Sequence, residues 1–253
     1  MDSDTSTRRR SRAPRPTSAL RWSWGRLRAT PGTIIGASAT WTLILLAGLL
    51  GVFLTADWIV GSIVTHILRT STDARGALDA TIAVQDAQGY LESALWLVPV
   101  SLSIACWLNG AIVIADGRRP VFTDFFRPTA LAPVLSIVAV TGLLTAGLEA
   151  LFVEEAGFSW TYLVCVAAVE IPATWMYLAA ADCPRASLRA GVAEGFTLLC
   201  ARPGATIVML TVTLVVLAVG VLFLGVGLLV ALPLTEFLAI YYFRTLTGRS
   251  LAP

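Results

Sequence analysis

The chain contains no lysine; all eighteen of its basic residues are arginine. It has a single histidine, His66, so neither a Cys/His zinc site nor a two-histidine metalloprotease helix can be assembled from one copy. Its four cysteines, Cys106, Cys165, Cys183 and Cys200, lack CxxC spacing and are expected as free thiols. No bound metal and no organic cofactor are expected. Charge is scarce as well: 13% of residues are charged and 57% hydrophobic, with a mean hydropathy of +0.78. A water-soluble fold of 253 residues cannot carry that much apolar surface, so lipid is the solvent.

A helix crossing about 30 Å of hydrocarbon needs roughly 20 mainly apolar residues. Six segments come close, near 33–54, 93–115, 130–152, 159–181, 205–223 and 227–243. The last two share one apolar run from Thr206 to Phe243, which the cluster Gly220, Gly225 and Gly227 divides with a turn. The expected fold is all-α: a polytopic membrane protein of six transmembrane helices, arranged as three hairpins with cytoplasmic interfacial elbow helices. Residues 1–18 read as a disordered basic cytoplasmic arm, 19–249 as one six-helix domain and 250–253 as a tail.

This topology sorts the charges. Arg8, Arg9, Arg10, Arg12, Arg15, Arg21, Arg26 and Arg28 precede the first span; Arg118, Arg119 and Arg127, then Arg185, Arg189 and Arg202, occupy later loops on the same side, and Arg244 and Arg249 follow the last span. Only Arg69 and Arg75 fall opposite. By the positive-inside bias the expected location is the bacterial cytoplasmic (inner) membrane, multi-pass, with both termini cytoplasmic. The outer side collects Asp57, Asp73, Asp79, Asp86, Glu92, Glu149, Glu154 and Glu155. Arg8–Arg10 also fits a twin-arginine signal or a nucleic-acid arm. The first apolar stretch is a full span followed by further apolar sequence, so the signal reading fails, and no nucleic-acid partner is expected.

An aromatic or basic segment followed by proline precedes three spans: Trp22, Trp24, Arg26 and Arg28 before Pro31; Phe122, Phe125, Phe126 and Arg127 before Pro128; Phe196 and Arg202 before Pro203. Proline forces the residue before it out of the helical region, so the chain turns there. Leu20, Trp24 and Leu27 share one helical face, and so do Leu188, Val192, Phe196 and Leu199, which suits helices lying among headgroups. Membrane loops also hold aromatic and basic residues near lipid without any repeat. Contacts with anionic lipid at the cytoplasmic face, or with a partner, are assigned to Trp22, Trp24, Arg26, Arg28, Arg118, Arg119, Arg127, Arg185, Arg189 and Arg202. The outer connection 55–92 is expected to extend the first helix or lie on the membrane surface, with a short polar helix over 73–88. Helix contacts are expected at Ala47 and Gly51, at Gly142 and Ala146, and along Ser101, Ala105 and Asn109.

Two carboxylates, Glu170 and Glu236, fall at mid-span, where a charge costs about 2.5–3.5 kcal/mol and no basic residue lies in a span to offset it. With Asn109 as a third polar member they form a candidate intramembrane polar site, proton- or cation-linked; the alternative is a pair of neutral carboxyls bonded to neighbouring helices. No catalytic residues are assigned. Glu154-Glu155 lacks the arginine and histidine motifs of the CAAX-type intramembrane proteases, a rhomboid-type Gly-x-Ser-Gly is absent, and so is the aspartate-rich pair of prenyl-transferring membrane enzymes. The glycines of the last hairpin have no following Lys or Ser/Thr in a nucleotide-binding pattern.

The segment Ala115-Asp-Gly-Arg-Arg-Pro-Val-Phe-Thr-Asp-Phe-Phe-Arg-Pro, the later Gly225-Val-Gly-Leu-Leu-Val-Ala-Leu-Pro-Leu, and the closing Tyr241-Tyr-Phe-Arg-Thr-Leu-Thr-Gly248 carry a likeness. Through most of residues 18–249 the chain resembles the bacterial six-helix integral membrane proteins of unassigned function related to the membrane domain of some glycerophosphodiester phosphodiesterases. The resemblance implies a stand-alone helical membrane domain without a catalytic centre, and such chains usually run apolar where this one has Glu170 and Glu236. The arginine-only basic set suits the codon usage of a GC-rich bacterial genome. The sequence therefore leads to a non-enzymatic inner-membrane protein, an accessory or assembly component of envelope or transport machinery, whose partners are the lipid bilayer and another membrane protein or a second copy. The alternative is a small proton-linked transporter or self-protection exporter using Glu170 and Glu236.

Overall fold

The computed structural model describes residues 14–128, 130–152, 160–182, 187–223 and 226–252. Among these residues the chain forms α1 (Pro16–Ala29), α2 (Pro31–Thr70), α3 (Ala74–Asp86), α4 (Gln88–Ala115), α5 (Leu131–Phe152), α6 (Trp160–Ala181), α7 (Leu188–Ala201), α8 (Pro203–Leu222) and α9 (Leu228–Thr247). A 3-10 turn, Phe122–Phe126, joins α4 to α5. Six stretches are long and apolar enough to cross a membrane: α2, α3–α4, α5, α6, α8 and α9. The protein is an all-α multi-pass membrane protein. The basic arm as far as residue 13, together with Arg185, Cys183, Glu154, Glu155 and Gly225, lies outside the described residues.

Proline sets the breaks, as the sequence predicts. Pro31 and Pro203 open α2 and α8, and the residues before them, Thr30 and Arg202, leave the helical region at φ −144°, ψ 59° and φ −140°, ψ 52°. The spans pack as hairpins, α2 against α4, α5 against α6 and α8 against α9. The α8–α9 turn is tight because Gly220 lets Ala231 approach; a Cβ on Gly220 would lie 2.7 Å from the Ala231 Cβ. Helix α9 is the centre of the bundle. It touches α1, α2, α4 and α6 and buries Phe237, Leu238, Ile240, Tyr242 and Phe243 completely.

The connection 55–92 resolves in favour of helix extension. Helix α2 runs for 40 residues, about 60 Å at 1.5 Å per residue and so about twice the hydrocarbon thickness. The short helix expected over 73–88 is α3, started by Asp73, whose carboxylate accepts from the Arg75 and Gly76 amides at 3.1 and 3.0 Å. By contrast α5 and α6 have 22 residues and α8 and α9 have 20, which fits one bilayer. The α2/α3–α4 hairpin therefore projects beyond the others at the end carrying Arg69 and Arg75.

The elbows and helix contacts follow expectation only in part. The second elbow is not an interfacial helix. Its Phe125 is fully buried between α2 and α4, in contact with Gly110, which has no Cβ to obstruct the ring. Trp41 stacks on Phe126 at 5.3 Å and donates its ring N–H to the Phe125 carbonyl at 2.8 Å, while Trp107 meets Phe125 edge-on at 4.8 Å. In α7 the apolar row Leu188, Val192 and Phe196 faces outward, as an interfacial helix requires, and the docked face is Gly191, Gly195 and Leu198. In α1 the buried row is Ala19, Ser23 and Leu27, with Trp24 outside. Ala47 and Gly51 are exposed, and the α2–α4 contact uses Gly48, whose added Cβ would sit 3.5 Å from Pro99. Gly142 does lie against Leu97, and Ser101, Ala105 and Asn109 are buried together in α4.

Candidate functional site

Two polar assemblies stand out, one at the arginine-rich end and one within the bundle. At the arginine-rich end the Arg244 guanidinium, with a side chain 5% exposed, holds Asp182 through Nη2 at 2.6 Å and Nε at 3.1 Å, and Asp116 through Nη1 at 2.8 Å. Arg249 continues the chain of charge, to Asp182 at 3.0 Å and in a fork to both Glu194 oxygens at 2.9 and 2.8 Å. These five residues come from α9 and the segment after it, the end of α6, α7 and the residue after α4. Gly248, at φ 73°, ends α9 in the left-handed conformation and folds the following segment back. That segment is packed: the Ala252 amide donates to the Ala115 carbonyl at 2.9 Å, and the Trp22 ring N–H donates to the Ala252 carbonyl at 3.0 Å. What the sequence reads as a tail is a strap across α1, α4 and α9.

The residues assigned to headgroup or partner contact divide accordingly. Trp22 faces inward, 5.5 Å from Tyr241, with Arg26 over its ring at 5.4 Å. Trp24 is outward, 43% exposed, with Arg28 stacked on it at 5.2 Å. Arg118, Arg119, Arg127 and Arg189 are exposed, Arg118 pairing with Asp116 at 3.3 Å. Arg202 is partly buried and engaged. Arg185 falls outside the described residues.

Inside the bundle, Glu236 lines a cavity of about 150 Å³ between α2, α4 and α9, walled by Ser38, Trp41, Thr42, Ser103, Trp107 and three aliphatic side chains. Pro233, one turn earlier, is buried and cannot donate a backbone hydrogen bond. Glu170 sits elsewhere. It is exposed on the outer surface of α6, accepting a 3.3 Å hydrogen bond from Thr145 of α5. Tyr177, whose hydroxyl donates to Thr174 at 3.2 Å, is within electrostatic range of both carboxyl groups. The acids share a neighbour without touching one another. Asn109 does not join them: its amide donates to the Asp124 carbonyl at 2.8 Å and holds the 3-10 turn.

Sequence reasoning missed the ion network and the role of Ser38, Thr42 and Ser103. Charge placement could have signalled the first, because Asp182 and Arg244 each close a span at the same end with opposite signs. Nothing in the local pattern marks the hydroxyls, which look like ordinary membrane-helix serines and threonines. Among the described residues no group of three or more metal-ligating side chains converges. Set against family models, curated proteins and solved structures, the chain matches none, so its chemistry is read from this geometry alone.

Proposed function

We propose that the protein is a non-enzymatic component of the bacterial cytoplasmic membrane, with both termini cytoplasmic, that acts as an accessory or assembly partner for envelope or transport machinery by packing against another membrane protein. The observation that carries this is Glu170. An exposed carboxyl at mid-span with one long hydrogen bond costs about 2.5–3.5 kcal/mol against lipid, and a partner helix bringing a donor removes that cost. Beside it, α5, α6 and α7 border an apolar groove of about 430 Å³ that includes Val140, Thr141, Val169 and Pro172, a form that accepts the ridge of a further helix. The exposed arginines of the elbows supply attraction to anionic lipid at the inner face.

Purification from native membranes into nanodiscs, with stoichiometry measured by mass, tests the proposal. A membrane protein partner retained at fixed ratio by the wild type, and lost with Val140→Trp and with Glu170→Gln, is the expected result. The second reading, a small proton-linked transporter or exporter, is favoured by the Glu236 cavity and by Tyr177, which is within electrostatic range of both acids. Proton-linked flux by the companion-free protein in liposomes, abolished by Glu236→Gln, would replace the first reading with the second.

A further inference from the structure

We infer that the cavity at Glu236 is a binding site for a small alkylammonium ion. This goes beyond the proposed role, since such a site can regulate or stabilise the bundle without anything being transported. The Glu236 carboxylate accepts no hydrogen bond from a described residue. Three of the side chains around it have their hydrogens engaged elsewhere. The Thr42 hydroxyl donates to the Ser38 carbonyl at 2.9 Å, the Ser103 hydroxyl to the Val100 carbonyl at 2.8 Å, and the Trp41 ring N–H to the Phe125 carbonyl at 2.8 Å. With their hydrogens engaged elsewhere, Thr42 and Ser103 offer lone pairs to the cavity, and Ser38 adds a buried hydroxyl that bonds no described residue.

The Ser38 hydroxyl and the Trp107 ring N–H can donate to Glu236, but no described basic side chain lines the cavity, so a carboxylate there is neutralised by a proton or by a positive guest. The rest of the wall selects which kind. Two indoles, Trp41 and Trp107, line the cavity, and most of the remaining surface is aliphatic. An inorganic cation could draw on the carboxylate and the Ser38, Thr42 and Ser103 oxygens but would leave the aliphatic part of the wall unused. An ammonium group clothed in carbon gains from the carboxylate, from the indole π-systems and from contact with the aliphatic side chains. The volume of about 150 Å³ equals the share of roughly five water molecules, which limits the guest to a few heavy atoms.

The full chain in lipid nanodiscs, titrated with tetramethylammonium and followed by tryptophan fluorescence and calorimetry, tests this. We expect saturable binding that quenches the indoles, weakened about tenfold or more by Glu236→Gln and several-fold by Trp107→Leu. Two comparators are titrated into the wild type, so the result does not depend on any variant folding. Neopentyl alcohol, similar in size and neutral, should bind far more weakly, and sodium should not saturate the signal. Equal binding of the neutral alcohol would show an apolar void only. Saturation by sodium without tetramethylammonium binding, or unchanged affinity in a folded Glu236→Gln protein, would also overturn the assignment.

Discussion

Arg244 and Asp182 have side chains only 5% exposed, so neither is rescued by water when the other is removed. Asp182→Asn is therefore expected to destabilise the protein by about 3–5 kcal/mol, since it leaves buried guanidinium charge short of its main partner. Arg118→Ala, which breaks a pair whose arginine is 64% exposed, should change stability by less than about 1 kcal/mol. Thermal unfolding in one detergent ranks the two, and equal effects would mean that the network does not hold the arginine-rich end together. These partners are not legible one residue at a time. Asp182 and Arg244 are 62 positions apart, and counting charges assigns each to a face of the membrane without saying which opposite charge it meets.

Helix α7 illustrates what can and cannot be read about an element. Its apolar row and its place before Pro203 announce an interfacial helix, and the helix is there. Which face docks depends on something the apolar pattern hides: Gly195 allows α7 to lie against the α6 backbone, where an added Cβ would be 2.6 Å from the Met176 amide nitrogen. Gly195→Ala should accordingly cost about 1–3 kcal/mol through forced separation of the helices. Gly25→Ala in α1 meets nothing within 4 Å and should instead stabilise by up to about 1 kcal/mol. Opposite signs in paired unfolding measurements are the expected outcome. The 3-10 turn was less legible still, because a run of phenylalanines before a span has the same composition whether it rests among headgroups or fills the space between Trp41, Trp107 and Gly110. The α6 segment was read closely, 159–181 against Trp160–Ala181, because a length of apolar residues is a local property, whereas 33–54 stops well short of the end of α2 at Thr70.

At the scale of the whole molecule, one asymmetry organises everything else. The starts of α2, α5 and α8 and the ends of α4, α6 and α9 gather at one end, tied by the Arg244 network and the strap through Ala252, and the described arginines lie there except Arg69 and Arg75. Such a sequence-wide bias was legible because it needs only an approximate set of spans and the identity of the loop residues. The polar site was half legible: Glu170 and Glu236 could be named from their depth, but only the packing separates a carboxyl facing outward from one facing a cavity. The sidedness is tested most directly by single cysteines in an otherwise cysteine-free chain, probed on intact spheroplasts with a membrane-impermeant maleimide. Ser71→Cys, at the far end of α2, should react from outside, while Gly25→Cys in α1 and Thr123→Cys in the 3-10 turn should react only after the membrane is opened. Labelling of Gly25→Cys or Thr123→Cys on sealed spheroplasts, with Ser71→Cys protected, would contradict the orientation on which the proposed function depends.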